Sequence, residues 1–164
     1  MSKTEQHLKE AFAGESQANR KYLAFAKKAD REGYAQVAKL FRAAAEAETI
    51  HAHAHLKALK GIGSTAENLK EAISGETFEY ESMYPPMIKD AEAEGHKAAA
   101  RSFSYANQVE KVHADLYSKA LDNLGQNQEV TYYVCSVCGY TCESEVPDSC
   151  PVCGSDAKVF FNVD

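Results

Sequence analysis

The chain has 164 residues, of which 45% are hydrophobic and 26% are charged, enough for one domain with a hydrophobic core and a small appendage. Its formal net charge of -6, without a basic stripe, argues against a nucleic-acid surface. We expect no secretory signal, because residues 1–5 lack an apolar segment, and no membrane span, because no run of about 18 apolar residues occurs.

Four helices are predicted before residue 125, because apolar residues recur there every three to four positions. The predicted ranges are about 4–33, 34–60, 65–94 and 96–124, and a glycine stands at or next to the end of each. Gly75 and Pro85-Pro86 interrupt the third helix, so we expect a break or kink at one or both. Each of the predicted helices has on the order of 25 residues, roughly 40 Å, a length that suits a helix bundle.

Two Glu-x-x-His motifs, Glu48 with His51 and Glu110 with His113, carry the main chemical signal. Residues three apart lie on one face of a helix, and each motif continues an apolar stripe that we expect to face the core, such as Val37, Leu40 and Phe41 before the first motif. A buried carboxylate is unfavourable unless something neutralises it. Two such pairs, with a Glu from each of two other helices, form the di-iron carboxylate site of four-helix bundles. The alternative, pairs on a helix surface, is disfavoured by the apolar phasing.

An internal repeat relates the first two helices to the last two. The second motif repeats the first at an offset of 62 residues, whereas Gly14-Glu15 repeats as Gly75-Glu76 at an offset of 61. The extra residue falls between Glu76 and Tyr84, where we expect a π-bulge or a proline kink to absorb it. Glu79 breaks the symmetry, because Ala18 stands at its counterpart position.

The predicted bundle site has carboxylate and imidazole ligands: Glu15, Glu48, Glu76, Glu79, Glu110, His51 and His113. This mixture suits iron or manganese, and two metals about 3.5–4 Å apart can hold both ends of one small substrate. Tyr22 and Tyr84 occupy matched positions two turns beyond Glu15 and Glu76. Each is either a core aromatic or a hydrogen-bond donor to an oxygen at the metals.

All five cysteines lie between residues 135 and 153, in a β-rich segment that follows a polar linker. Four of them form two Cys-x-x-Cys knuckles, which make a tetrahedral four-sulfur metal site: Cys135 with Cys138, and Cys150 with Cys153. Zinc would make this a structural ribbon and iron a one-electron carrier, and we favour iron because an electron source suits a di-iron site. Cys142 is predicted to be a spectator. The clustered thiols favour a cytoplasmic location.

These features together resemble the rubrerythrin family, over nearly the whole chain. The resemblance rests on Ala13–Ala18, Glu48-x-x-His51, Gly75-Glu76-x-x-Glu79, Met83-Tyr84-Pro85, Glu110-x-x-His113 and the paired cysteine knuckles. It implies a mainly α fold, with a ferritin-like four-helix bundle at residues 1–125. A small β rubredoxin-like metal domain with four cysteine ligands follows at residues 126–164.

The resemblance also implies a role for each ligand. Glu48 and Glu110 would bridge two non-haem irons. Glu15 and Glu79 would be terminal on one iron, with His51 able to replace Glu79 on reduction, and Glu76 and His113 would be terminal on the other. The third iron would lie among four cysteines, with zinc as its substitute: Cys135, Cys138, Cys150 and Cys153.

The implied activity is a non-haem iron peroxidase that reduces hydrogen peroxide to water. Electrons would come from NADH or NADPH through a separate reductase, often with a free rubredoxin between them, and the chain shows no dinucleotide fingerprint of its own. Two other functions stay open: ferroxidase and iron handling as in ferritins, and a bare electron-transfer or metal-binding protein with a zinc ribbon. The four-cysteine segment and Glu79 favour the peroxidase over the ferroxidase, and the colour of the purified protein separates the third function.

We also expect a homodimer in which the four-cysteine iron of one subunit serves the di-iron site of the other. The fourth predicted helix continues two to three turns beyond His113, and the linker after it is short. The four-cysteine iron is therefore expected to lie too far from the di-iron ligands of its own chain.

Overall fold

A computed structural model describes residues 2–163. The chain divides into two compact units, Met1–Gly63 and Ser64–Asp164. The helices and strands of the described residues are α1 (Lys3–Arg31), α2 (Ala35–Ala58), α3 (Thr65–Phe78), a π-helical turn (Glu79–Met83), α4 (Tyr84–Ala93), α5 (Lys97–Asp122), β1 (Tyr132–Cys135), β2 (Thr141–Glu143), a 3-10 turn (Ala157–Val159) and β3 (Phe160–Val163). Within residues 2–163, no helix is both long and apolar enough to cross a membrane. The mainly α architecture with a small C-terminal sheet agrees with the prediction.

The first unit is a hairpin of the long helices α1 and α2. A capping box begins α1: the Ser2 hydroxyl accepts from the Glu5 backbone N–H at 3.1 Å, and the Glu5 carboxylate accepts from the Ser2 N–H at 2.6 Å. Such reciprocal bonds satisfy N–H groups that a helix start leaves unpaired. Helix α1 therefore begins at Lys3, one residue before the predicted start at about residue 4. The hairpin turns at Gly33, whose φ of +85° favours glycine.

Small residues form the contact between α1 and α2. The buried apolar side chains here are all alanines: Ala26, Ala29, Ala38, Ala45 and Ala52. Phe41 packs against the first three of them. Alanine lets two helix backbones approach closely. Val37 and Leu40, which the sequence assigned to the core side, are 45% and 68% exposed. That assignment is wrong for this hairpin, because the buried alanines of α2 lie about 60–100° from Val37 and about 120–160° from Leu40 round the helix.

In the second unit, α3, the π-helical turn and α4 together pack against α5. The turn at Glu79–Met83 lies between Glu76 and Tyr84, which confirms that an extra residue is absorbed there as a π-bulge. Gly75 stays inside α3, so the chain does not break at the glycine. Pro85 and Pro86 stand in the first turn of α4, where a missing N–H costs little.

The cysteine segment folds as a three-stranded antiparallel sheet in the order β2-β1-β3. Strand β2 was not predicted, because its three residues are too few to show an alternating pattern. The sheet packs on α5 of the same unit, where a Cβ added to Gly139 would lie 3.8 Å from Val109 Cγ1. An ion pair between Lys119 and Glu143 joins the same two elements.

Candidate metal centres

The first unit brings three predicted ligands together. One ligand atom from each of Glu15, Glu48 and His51 lies within 4.8 Å of the others. The (i, i+3) spacing on α2 sets His51 Nδ1 2.9 Å from Glu48 Oε2. The side chain of Glu48 is 18% exposed and that of His51 is 56% exposed. On the opposite helix, Asn19 donates from Nδ2 to the Ala45 carbonyl at 2.8 Å, and this buried bond fixes α1 against α2 one turn from Glu15.

The second unit repeats this arrangement with Glu76, Glu110 and His113, whose ligand atoms also lie within 4.8 Å of one another. His113 Nδ1 lies 2.8 Å from Glu110 Oε2 and 3.9 Å from Glu76 Oε1. The matched geometry confirms that the internal repeat is a repeat of structure. The cluster in each unit thus consists of two carboxylates and one imidazole.

In the second unit, the negative charges of the carboxylates are only partly balanced by the nearby imidazole. Burial, and then the negative charge of Glu110, raise the pKa of Glu76 to about 7, although His113 opposes the change. The pKa of His113 is raised, first by its hydrogen bond to Glu110 and against the effect of burial. A partly buried cluster of carboxylates that raises the pKa of one of its members is a fitting site for a cation, and the oxygen and imidazole donors suit iron.

Glu79 and Tyr84 lie beside this cluster without belonging to it. Glu79 stands in the π-helical turn, and its pKa is raised by burial and then by the charge of Glu110. The pKa of Tyr84 is raised by burial and then by the charges of Glu79 and Glu110. Its ring packs on Phe103 with centroids 6.2 Å apart. The hydroxyl of Tyr84 therefore stays protonated next to the carboxylates.

Tyr22 occupies the matching position in the first unit. Its ring lies 6.1 Å from that of Phe41 and 6.4 Å from that of Phe25, measured between centroids. The ring of Tyr22 thus packs beside two other aromatic rings of the first unit.

The four knuckle cysteines converge in the β-sheet module, with all Sγ atoms within 4.8 Å of one another. Two of the sulfur–sulfur distances are 3.7 Å, from Cys135 to Cys153, and 3.5 Å, from Cys138 to Cys150. A tetrahedral site with metal–sulfur bonds of about 2.3 Å requires sulfur atoms about 3.8 Å apart, so the residues fit such a metal. Cys142 lies on β2 outside the cluster, as predicted.

The thiols of the module differ in acidity. Burial, followed by hydrogen bonds with neighbouring cysteines, raises the pKa of Cys138. At Cys153 burial acts in the same direction, but hydrogen bonds from the side chain and backbone of Ser155 outweigh it and lower the pKa to about 6. The Ser155 hydroxyl lies 3.2 Å from Cys153 Sγ. A metal at this site would meet one ligand that is already largely a thiolate.

One residue that sequence reasoning missed, Thr141, links the β-sheet module to His113, a candidate ligand of the second unit. His113 Nε2 lies 3.1 Å from Thr141 Oγ1, and the Thr141 hydroxyl donates to the Gly139 carbonyl at 3.1 Å. Because that hydroxyl proton is engaged, Thr141 accepts from the His113 Nε2–H, which leaves Nδ1 to face the carboxylates. Such a bond fixes the tautomer and ring orientation of a metal-binding histidine. A bond between residues 28 apart leaves no signal in the sequence.

This contact contradicts the expected long distance between the four-cysteine site and the predicted di-iron ligands of the same chain. Gly139 follows Cys138 directly, and His113 binds the strand that begins two residues later, at Thr141. The four-cysteine module therefore lies against His113, a candidate ligand of its own chain in the second unit. The prediction that it lies too far from this ligand is wrong, because the linker turns the module back along α5 instead of extending beyond it.

Comparison with known proteins identifies both parts of the chain. The family model Rubrerythrin matches residues 6–121, and the model of the rubrerythrin rubredoxin-like domain matches residues 133–161. Rubrerythrin of Porphyromonas gingivalis is 38% identical, over 97% of this chain and 89% of its own. Rubrerythrin-2 of Clostridium acetobutylicum is 36% identical, over 92% of this chain and 91% of its own.

A solved structure gives the same result. The partially reduced state of nigerythrin superposes with a TM-score of 0.61 at 33% identity, over 99% of this chain and 88% of that one. The predicted ferritin-like and rubredoxin-like classes are thus confirmed, together with a di-iron site and a four-cysteine iron site. The chain belongs to the rubrerythrin family, a family of iron-binding oxidoreductases that act in oxidative stress.

Proposed function

We propose that this protein reduces hydrogen peroxide to water with electrons that enter through its four-cysteine iron. The observation that carries the proposal is the 3.1 Å contact between His113 Nε2 and Thr141 Oγ1. It connects a di-iron ligand to the strand that follows the first cysteine knuckle. Iron storage alone does not require a one-electron carrier docked on a di-iron ligand, whereas a peroxide reductase must be re-reduced in every cycle.

The ligand roles in this proposal follow the two clusters of the structure. We propose Glu48 and Glu110 as bridging ligands, each paired with the imidazole three residues later. Glu15 and Glu79 serve one iron, and Glu76 and His113 serve the other. The raised pKa of Glu76 supports this assignment, because binding a cation would release its proton.

When bound, the two irons supply two electrons at a site that can hold both oxygens of a peroxide. The chain provides the proton chemistry around it. Tyr84 Oη, kept protonated beside Glu79 and Glu110, is positioned to donate a hydrogen bond to a substrate oxygen. Tyr22 is proposed to act in the same way from the first unit, and each tyrosine ring packs beside a phenylalanine ring, Phe41 for Tyr22 and Phe103 for Tyr84.

We further propose that Glu79 and His51 exchange as ligands when the redox state changes. An anionic oxygen ligand favours the more highly charged ferric state, and a neutral imidazole is accepted more readily by ferrous iron. Two features support the exchange: Glu79 lies outside the three-residue ligand cluster, and His51 has a side chain that is 56% exposed.

The proposal also includes the domain boundaries, the electron donors, the assembly and the location of the protein. Residues 1–125 would form the di-iron domain and residues 126–164 the domain that receives electrons, which the family matches at 6–121 and 133–161 support. The donors would be a rubredoxin and an NAD(P)H-dependent reductase, and the protein would act as a homodimer. We propose a cytoplasmic location, because free thiols that bind a metal persist in reducing compartments.

The test is a stopped-flow comparison of two oxidants. Fully reduced protein is mixed with hydrogen peroxide or with dioxygen at equal concentration, and the oxidation of both iron centres is followed by absorbance. We expect peroxide to oxidise the di-iron site much faster than dioxygen, with one peroxide consumed for every two electrons. The Cys138→Ser variant should retain the first di-iron oxidation and lose turnover with an external donor. Faster oxidation by dioxygen, with ferric iron accumulating beyond the bound metals, would instead support the ferroxidase alternative.

A further inference from the structure

A cavity of about 350 Å³ lies within the second unit, where α3, α5 and the β-sheet meet. Four residues of α5 line it, at the three-and-four spacing of a single helix face: His113, Leu116, Tyr117 and Ala120. Leu69 lines it from α3. Because Leu69 precedes Glu76 by seven residues, it lies on the face of α3 that meets α5. The cavity therefore follows from the packing of elements within one unit.

The sheet forms the other wall of the cavity with Tyr132 and Thr141. Thr141 lies opposite Val134 in the pairing of β1 with β2, and Tyr132 precedes Val134 by two residues on β1. Residues that are opposite each other, or two apart on one strand, lie on the same face of a sheet. Glu143, two residues after Thr141 on β2, forms an ion pair with Lys119 of α5. This face of the sheet is therefore the one that points toward α5.

The lining has the composition of a site for a neutral aromatic molecule. Ligand sites are mostly apolar cavities of about 300–1,000 Å³ with a few polar groups. The apolar part of this lining consists of aliphatic side chains and aromatic rings: Leu69, Leu116, Ala120, Tyr117 and Tyr132. Among the lining residues, His113 is the one that can carry a charge near neutral pH. Aromatic rings pack well against one another, so the two tyrosines favour an aromatic occupant.

The volume limits the size of that occupant. A dry apolar cavity of about 150 Å³ is large enough to hold benzene. At about 350 Å³, the cavity of the second unit has room for one ring with substituents or for two small rings. It is too small for a nucleotide or a peptide.

Three polar groups of the lining already use their own protons. The His113 Nε2–H is donated to Thr141 Oγ1 at 3.1 Å, and the Thr141 hydroxyl is donated to the Gly139 carbonyl at 3.1 Å. The Tyr132 hydroxyl donates to Glu143 Oε1 at 3.4 Å. A hydroxyl oxygen has two acceptor lone pairs, so Thr141 Oγ1 can accept one more hydrogen bond. The polar end of the cavity therefore suits a ligand that donates an O–H group.

We propose that this cavity binds a small neutral phenol of one or two rings, whose hydroxyl donates to Thr141 Oγ1. The ring packs against Leu116 and the two tyrosine rings, and the hydroxyl reaches the bond that orients His113. Glu76 and Glu110 are not among the lining residues. The proposal therefore concerns binding beside a candidate ligand, and it stands or falls independently of the peroxide reaction.

Fluorine NMR of 4-fluorophenol tests the proposal on the purified, iron-loaded protein. We expect saturable broadening of the fluorine resonance as protein is added. Fluorobenzene is the matched control ligand, because it has the same ring without the hydroxyl. It should bind about three- to tenfold more weakly, which corresponds to one net hydrogen bond. Thr141→Val should weaken the binding of 4-fluorophenol to the level of fluorobenzene and leave fluorobenzene unaffected.

Two alanine variants locate the site. Ala120→Phe places a ring inside the cavity and should abolish saturable binding. Ala98→Phe is its matched control, because it adds the same ring at an exposed position near the start of α5, beside a different cavity. It should bind 4-fluorophenol as the wild type does. If circular dichroism shows that Ala120→Phe does not fold, Ala120→Leu replaces it with a smaller side chain.

Four results would overturn the proposal. They are the absence of saturable binding to the wild type, equal affinity for the two ligands, unchanged binding in the folded Ala120 variant, and lost binding in Ala98→Phe. The last result would place the phenol in the other cavity.

Discussion

The hydrogen bond between His113 and Thr141 can be removed with little change in shape. Thr141→Val keeps the branched side chain on β2 and deletes only the hydroxyl. Removing the hydrogen-bonding partner of a metal-binding histidine commonly costs 10–100-fold in metal affinity or activity. We expect the lower end, about tenfold, because the Gly139 carbonyl also interacts with His113 and can accept part of the released N–H.

The assay follows electron transfer from the reduced four-cysteine iron to the oxidised di-iron site in a single turnover. Iron affinity is measured in parallel, by competition with a chelator. Thr141→Ser is the matched control, since it keeps the hydroxyl and should retain near wild-type values in both measurements. Unchanged transfer and unchanged affinity in Thr141→Val would refute the reasoning. Equal losses in both variants would show that packing on β2, not the hydrogen bond, holds His113.

Three further predictions concern the separate sites. The wild-type protein should be red with a high-spin ferric signal, and Cys138→Ser should remove that signal while circular dichroism shows the helices intact. Glu79→Ala should still bind two irons, keep His51 as a ligand in both redox states and turn over peroxide more slowly. Crystal structures of the variant and the wild type in both redox states would show the ligands. An unchanged ligand set in the wild type would contradict the exchange. In the metal-free protein, folding raises the pKa of Glu76 from 4.5 to about 7. Between these two pH values, the folded state holds a proton that the unfolded state has lost. The melting temperature should therefore fall as the pH rises from about 4.5 to about 7, and Glu76→Gln should flatten this dependence.

The sequence alone predicted which candidate ligand atoms meet within a single element. Glu48 with His51, and each pair of knuckle cysteines, are separated by three positions, so local backbone geometry brings their ligand atoms together. The π-helical turn before Tyr84 was also predictable, because the repeat offset changes by one residue there. These features depend on spacing along one element or on comparison of the chain with itself.

The contacts between elements could not be predicted in this way. Alanines, not the larger Val37 and Leu40, form the contact between α1 and α2, because the direction in which a helix face points depends on its partner. Thr141 meets His113 across 28 residues through one side-chain oxygen. No periodicity records such a pairing, since it exists only after the strand has docked on the helix. The sequence by itself determined which atoms can bind metal, and the tertiary structure decided what orients them, because orientation arises from long-range packing that local spacing does not encode.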